Sequence, residues 1–487
     1  MRYVRLALLI AALSYLAIYI VIAIFRLRYP FELEWMEGAM VDRVIRVLSG
    51  KNLYVVPSID FVSAPYTPLY FYVSAAVSKI TGIGFFPLRL VSFISSLGCF
   101  FLIFLIVKKE TRDTFSGILA ACLYAATFRI GGAWLDIART DSLFIMLFLG
   151  ACYLIKFYPS ATSYISAGVL IALSFLTKQS ALFMALPIML YAFFLNPRRS
   201  LFLTLPVAFL ILLSTVVFNA LSGGCYNFYV WLFHIKRCIT EMRIVTFWTQ
   251  DLFKPLFIAC CIAALYFIAN LFRQDRKNRL FYFFLFIGTV GVSWKSRVMQ
   301  TGYDNVLLPA YASVAVLFGL AVNSVIQLLS KHAMKALTIV FYIICITQFI
   351  ILHYNPFKQI PTSADEAAGR KLIEEIASMD GEVYLEGHGY LSLLAGKKSY
   401  AHDMSLYDIL CDTKNERFRK ILSDDIMETL KKRKFDVIII DNHSVLENVI
   451  REYYKLERKV FEDNGVFFPV TGWRVRPEYI YVPKNAN

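Results

Sequence analysis

Three glutamates fall within six residues, Glu32, Glu34 and Glu37, and Asp42, Arg43 and Arg46 follow them closely. A carboxylate within hydrogen-bond reach of a hydroxyl can take its proton, so this run could supply a general base. If the stretch is helical, Glu34 and Glu37 stand three apart and share a face. A second mixed-charge run reads Trp134-Leu-Asp136-Ile-Ala-Arg139-Thr-Asp141, and Leu176-Thr-Lys178-Gln-Ser180 sets one lysine in a tight turn. The stretch 220–251 holds His234, Lys236, Arg237 and Arg243, and the stretch 294–305 adds Arg297 and Asp304. Arginine forks match phosphate oxygens and lysine supplies a point charge. Cations of this density beside carboxylates suit an anionic headgroup such as a lipid phosphate, with Arg139, Lys178, Arg237 and Arg297 as candidates for it. The bland alternative is that these charges pair with one another and only orient their loops.

The elements that must hold these residues are apolar helices. The chain is 58% hydrophobic and only 17% charged, whereas a soluble domain is about half apolar and a quarter charged. A span needs about twenty apolar residues, fewer where the bilayer thins. Such runs occur near 6–25, 87–107, 115–132, 141–158, 162–177, 180–195, 200–219, 252–272, 279–294, 305–328 and 335–353. The expected fold is therefore mainly α, a polytopic transmembrane helical bundle of about eleven spans over residues 1–353. A half-apolar segment at 67–82 reads as a helix lying on the membrane. Its Tyr70, with Tyr66 just before it, could shape an acceptor site, although aromatic rings at that depth are also ordinary belt residues.

The net charge of +15 does not call for nucleic acid, because basic residues gather in cytoplasmic loops of membrane proteins. The clusters at Arg2 and Arg5, Lys108 to Arg112, Arg198 and Arg199, Arg273 to Arg279, and Lys331 with Lys335 fall on alternate connections. They set the N-terminus in the cytoplasm and the acidic first loop, the 133–140 loop and the Lys178 turn outside. The N-terminal run, Leu6 to Phe25, has no small-residue cleavage site after it and reads as a retained anchor. From 354 to 487 the pattern becomes that of a soluble α/β domain, expected outside the cytoplasmic membrane. Strand-like runs at 382–386, 436–441 and 479–482 alternate with amphipathic stretches at 364–379 and 445–457. His388 and His402 stand near strand ends, where a metal site or a structural role would each fit. Cys225 and Cys238 share one loop and could pair or stay reduced.

The order of motifs carries a resemblance. An anchor helix and an acidic first loop precede Leu48-Ser-Gly50-Lys-Asn-Leu-Tyr54, Pro65-Tyr-Thr-Pro-Leu-Tyr70, Phe86-Pro-Leu-Arg89-Leu90, Ala138-Arg139-Thr-Asp141 and Leu176-Thr-Lys178. Over roughly residues 5–330 this resembles the polytopic glycosyltransferases with the C-type fold, in the branch of protein O-mannosyltransferases and the aminoarabinose transferase acting on lipid A. The resemblance implies inverting transfer of a sugar from a polyprenyl-phosphate donor to a lipid, glycan or protein acceptor at the outer face. An acid of the first loop would be the base, here Glu37 or Glu34. The family's adjacent Asp-Glu pair is absent, and counting to Gly50 favours Glu37 as the match to its second acid. Asp136 or Asp141 matches a further acidic position, Arg139 is a candidate for the donor phosphate, and Lys178 resembles the short-turn lysine. Some members hold a divalent metal between such acids, and magnesium or manganese on Glu34, Glu37 and Asp136 would suit carboxylate oxygens. A transporter or flippase of lipid-linked glycans would instead bury ionisable groups mid-span, and the spans are nearly free of charge at their centres. A polysaccharide polymerase or ligase would share membrane and donor class.

Overall fold

The computed structural model of the protein describes residues 1–233, 238–271, 276–412 and 415–484. A helix stands over each of the apolar runs: α1 (Arg2–Leu27), α4 (Phe85–Thr111), α5 (Thr114–Ala126), α6 (Asp141–Phe157), α7 (Ala161–Thr177), α8 (Ser180–Leu195) and α9 (Pro197–Leu221). Later helices cover Met242–Ile268, Arg276–Val298, Leu308–Lys331 and Lys335–Ile351. Among the described residues five helices are long and apolar enough to cross a membrane by themselves, or six if one bent pair is a single span. The run at 115–132 gives a helix only as far as Ala126, followed by hydrogen-bonded turns through Ala133.

The helix ends are written locally. Asp113 caps α5 by accepting from the backbone N–H of Phe115 and Ser116, Ser160 caps α7, and Asn196 caps α9 just before Pro197. Small residues let the helices approach closely. A Cβ on Gly168 of α7 would stand 2.5 Å from the Leu203 carbonyl of α9, and one on Gly288 would stand 2.4 Å from the Met184 carbonyl of α8.

The first loop does not place Glu34 and Glu37 on one helix. Helix α2 (Glu37–Leu48) begins at Glu37, while Glu34 forms an isolated backbone bridge with Thr471. Helix α3 (Leu69–Thr81) covers most of the 67–82 segment. Beyond Ser363 a four-stranded sheet has the order β1-β2-β4-β3, with β1 (Val383–Leu385) parallel to β2 (Val437–Asp441) and the other pairs antiparallel. Strand β4 is Pro477–Pro483. The stretch 445–457 is only partly helical, since helix Glu447–Tyr453 ends where β3 (Tyr454–Lys459) begins. One face of the sheet, with Leu385, Ile439 and Ile480, packs on Leu372 and Ile376 of helix Ser363–Ser378 and on Phe31 of the first loop. The other face, with Tyr384, Ile438 and Tyr481, joins the large apolar core that includes the membrane helices. The C-terminal region is thus seated directly on the first loop. The thiols of Cys225 and Cys238 are free.

Candidate active site

A cavity of about 630 Å³ opens where the charged loops meet. It is lined by Glu34, Trp35, Met36 and Tyr66 from the first loop region, Trp134 and Arg139 from the second, and Lys178 from the turn after α7. Lys295, Arg243 and residues 299–303 and 305–306 close one side, and residues 403–405, 407–408, 442–445 and 472–473 of the C-terminal region close another. Its size lies within the range of pockets that hold drug-sized ligands.

Glu34 is fully buried, and its carboxylate oxygens make no close hydrogen bond, with only the Met36 backbone N–H approaching them. Its nearest cation is Arg139, whose Nη1 lies 3.6 Å from Oε2. Burial raises this carboxyl to about 8, against the opposing pull of Arg139. Arg139 donates to the Tyr66 hydroxyl at 2.9 Å and lies near the rings of Trp134 and Tyr66. Lys178 breaks the helical path at the end of α7 with extended backbone, which swings its Nζ to 2.7 Å from Asp141 Oδ1. Asn305 donates to the same oxygen at 3.0 Å, so Asp141 holds two groups of the cavity wall in place from behind.

Glu37 is placed differently. Its carboxylate takes the Arg89 fork, with Nε at 3.0 Å from Oε1 and Nη2 at 2.6 Å from Oε2, and accepts the backbone N–H of Ala138 and of Leu33, each at 2.7 Å. Burial opposes the charged form, but Arg89 and these donors outweigh it and hold the carboxyl below its usual range. Glu37 therefore ties the first loop, the second loop and α4 together outside the cavity lining. Asp136 pairs with Arg26 at 3.1 Å, both buried. The three carboxylates offered for a metal are each matched with a different arginine and do not converge. Among the described residues no group of three or more His, Cys, Asp or Glu side chains is arranged to hold a metal ion.

Arg297 also stands apart from the lining. It is gripped by Asp251 at 2.8 Å and Asp304 at 2.9 Å, while the helical residues Lys295 and Arg243 line the cavity in its stead. Tyr70 is buried between α3 and α4, donating to the Leu88 carbonyl at 2.9 Å, while Tyr66 does reach the cavity. Arg237, with His234 and Lys236, lies outside the described residues.

Neither C-terminal histidine stands among metal ligands. His388 is clamped between Glu32 on Nδ1 and Asp441 at 3.2 Å from Nε2. Nδ1 of His402 accepts the Met404 N–H and its Nε2 donates to the Trp35 carbonyl at 3.2 Å, which fixes a neutral tautomer. Burial accordingly pushes this imidazole down to about 3. Sequence reasoning missed the C-terminal wall. Gly472 and Trp473 sit against Glu34 and Trp35, and nothing in the local pattern around them distinguishes that loop.

Residues 64–222 match the family model described as dolichyl-phosphate-mannose-protein mannosyltransferase. No curated protein sequence matches the chain. ArnT from Cupriavidus metallidurans, solved bound to undecaprenyl phosphate, is similar with a TM-score of 0.61 at 11% identity, covering 97% of this chain and 98% of that one. The same protein in the apo state gives 0.61 at 12% identity, over 96% and 97%. The oligosaccharyltransferase of Archaeoglobus fulgidus, in complex with Zn and sulfate, gives 0.51 at 12% identity, over 89% of this chain and 67% of that one. The apolar helices, the family match and this architecture define the class: an integral membrane protein with the C-type glycosyltransferase fold. Within that class the likeness is to the protein mannosyltransferase and ArnT branch, as the motif order implies.

Proposed function

We propose that the protein is an inverting transferase that takes a sugar from a polyprenyl-phosphate donor and passes it to an acceptor hydroxyl inside the cavity. The observation that carries this reading is Glu34, a buried carboxylate without a close hydrogen bond, in the lining of a cavity whose wall also presents Arg139 and Lys178. The acceptor oxygen attacks the anomeric carbon, its proton passes to Glu34, and the bond to the phosphate oxygen breaks with its electron pair. Arg139 and Lys178 stabilise the charge that develops on the leaving phosphate. Glu34 suits the base better than Glu37, whose two oxygens already accept four N–H groups. A base works best with a pKa near the operating pH, and burial has moved Glu34 toward it. That the ArnT neighbour was solved with undecaprenyl phosphate supports this donor class. The lipid tail would run into the bilayer beside the cavity, with the N-terminus cytoplasmic and the C-terminal region outside.

The test is transfer in proteoliposomes containing native lipid extract and labelled polyprenyl-phosphate sugars, comparing wild type with Glu34→Gln. Transfer by wild type and its loss in a folded Glu34→Gln protein is the expected result. Undiminished transfer by the variant removes Glu34 from the chemistry. Movement of labelled lipid between leaflets without transfer would favour the flippase reading instead.

A further inference from the structure

We infer that the C-terminal wall of the cavity is an acceptor subsite for a carbohydrate ring, stacked on Trp473 and read by the polar groups around it. This deepens the proposed transfer reaction and rests on it. Trp473 is 59% exposed, yet its indole lies nearly parallel to that of Trp35, at 13° and 6.0 Å between centroids. Both indoles line the cavity. Trp35 is held from behind by the His402 ring and by the His402 hydrogen bond to its carbonyl, so the platform has a fixed orientation. A pyranose has one face of C–H bonds and a rim of hydroxyls, and a flat indole complements that face.

Polar groups stand around the platform. Asp403 lines the cavity, is buried, and its Oδ1 has no hydrogen-bond partner. The same carboxyl is hydrogen-bonded to the Val445 backbone and to Glu386, which holds it firmly in this wall. Ser405 accepts an N–H from Arg43 at 3.0 Å, which leaves its own O–H to donate. His443 is exposed at the rim of the same wall. The cations Arg139 and Lys178 belong to other elements of the lining, so phosphate and acceptor have separate places. Glu34 lies beside the platform, since Gly472, the neighbour of Trp473, approaches its side chain closely. A ring on Trp473 would thus present a hydroxyl toward the proposed base. A serine or threonine side chain would need no such platform.

The experiment is saturation-transfer NMR on the full chain in detergent, with a panel of methyl hexosides, pentosides and N-acetylhexosaminides. Transfer to the ring C–H protons of at least one glycoside is expected. Trp473→Ala should weaken that glycoside's binding by about tenfold, equivalent to ~1.4 kcal/mol, and Trp473→Tyr should restore most of it. No transfer to any glycoside, or transfer indifferent to Trp473→Ala, overturns the proposal. So does a Ser/Thr-containing peptide or a lipid whose binding alone is weakened by the substitution. A polyprenyl phosphate titrated in parallel, read by thermal shift with Arg139→Ala as its control, tests the donor reading separately, so that either reading can fail while the other stands.

Discussion

Gly472 stands so close to Glu34 that a Cβ on it would lie 2.9 Å from Glu34 Cγ and 3.1 Å from Trp35 Cδ1. Its backbone φ is +82°, a conformation that L side chains rarely adopt. The loop from the C-terminal region can therefore pack against the buried carboxylate only with glycine at this position. A finely set group loses function when its neighbours shift by about 1 Å.

Gly472→Ala should lower transfer by about 10²-fold, in line with the cost of such a displacement. Gly396→Ala is the matched control. Its φ is +74°, but nothing lies within 4 Å of the added Cβ. Both variants should lose about 1–2 kcal/mol from left-handed backbone, with a further loss at 472 from the contact with Glu34 and Trp35, and only Gly472→Ala should lose transfer in proteoliposomes. Equal activity in the two would detach this loop from the chemistry.

Glu34→Gln should abolish transfer and at the same time stabilise the protein above acid pH. The folded carboxyl is held at about 8 by burial, against an ordinary value of 4.5. Between those values the unfolded chain has released a proton that the folded chain still holds, so wild-type stability falls as pH rises through that window. Glutamine carries no such penalty. Thermal unfolding followed from about pH 5 to about pH 9 should show the two proteins diverging by up to a few kcal/mol, with the variant the more stable. Wild-type transfer should fall as the medium is acidified below about pH 8, because a base must be unprotonated. A flat pH–rate profile there would argue against Glu34 as the base.

Glu37→Gln should behave in the opposite way and fail on stability. Removing this charge leaves the Arg89 guanidinium buried with its carbonyl partners but no anion. Breaking a buried pair from one side costs about 3–5 kcal/mol, whereas replacing both partners with apolar groups is often tolerated. Urea or thermal unfolding in detergent should show the large loss for Glu37→Gln. Glu37→Leu combined with Arg89→Met should recover part of it. A Glu37→Gln protein of wild-type stability but without transfer would return this residue to a catalytic role.

The parts of the site that share short stretches of chain were legible in the sequence. Arg139-Thr-Asp141 and the Lys178 turn declare themselves as charge at the ends of apolar runs, and those runs announce helices by composition alone. Pairing was not legible, because Arg26 with Asp136, Glu37 with Arg89 and Lys178 with Asp141 join segments distant in sequence. Which of two nearby glutamates is taken up by a close arginine fork depends on those partners. Counting residues to Gly50 pointed to Glu37, whereas the packing of Arg89 leaves Glu34 as the carboxylate facing the cavity. Strand β3 escaped notice because Lys455–Lys459 is exposed throughout, so it lacks the alternation that marks a half-buried strand. Trp473 escaped because a lone tryptophan in a loop carries no local sign of the indole it meets.

His388 joins the first loop to the sheet, and its removal should loosen the C-terminal region from the membrane helices. Burial alone would lower this imidazole, but Asp441 and Glu32 raise it well above 6.5. Glu386 and Asp403 are buried close by, so the surroundings are acidic on several sides. A folded-state pKa raised in this way contributes stability in full below 6.5 and loses it as pH rises through the raised value. His388→Gln leaves Glu32 and Asp441 without their shared cation and should cost about 3–5 kcal/mol near neutral pH. The gap between wild type and variant, read as thermal unfolding at a series of pH values, should narrow on the alkaline side. Limited proteolysis should cut the variant first in the C-terminal region, where the clamp was released. A gap that stays constant with rising pH would mean that His388 is neutral between its carboxylates and joins them only by hydrogen bonds.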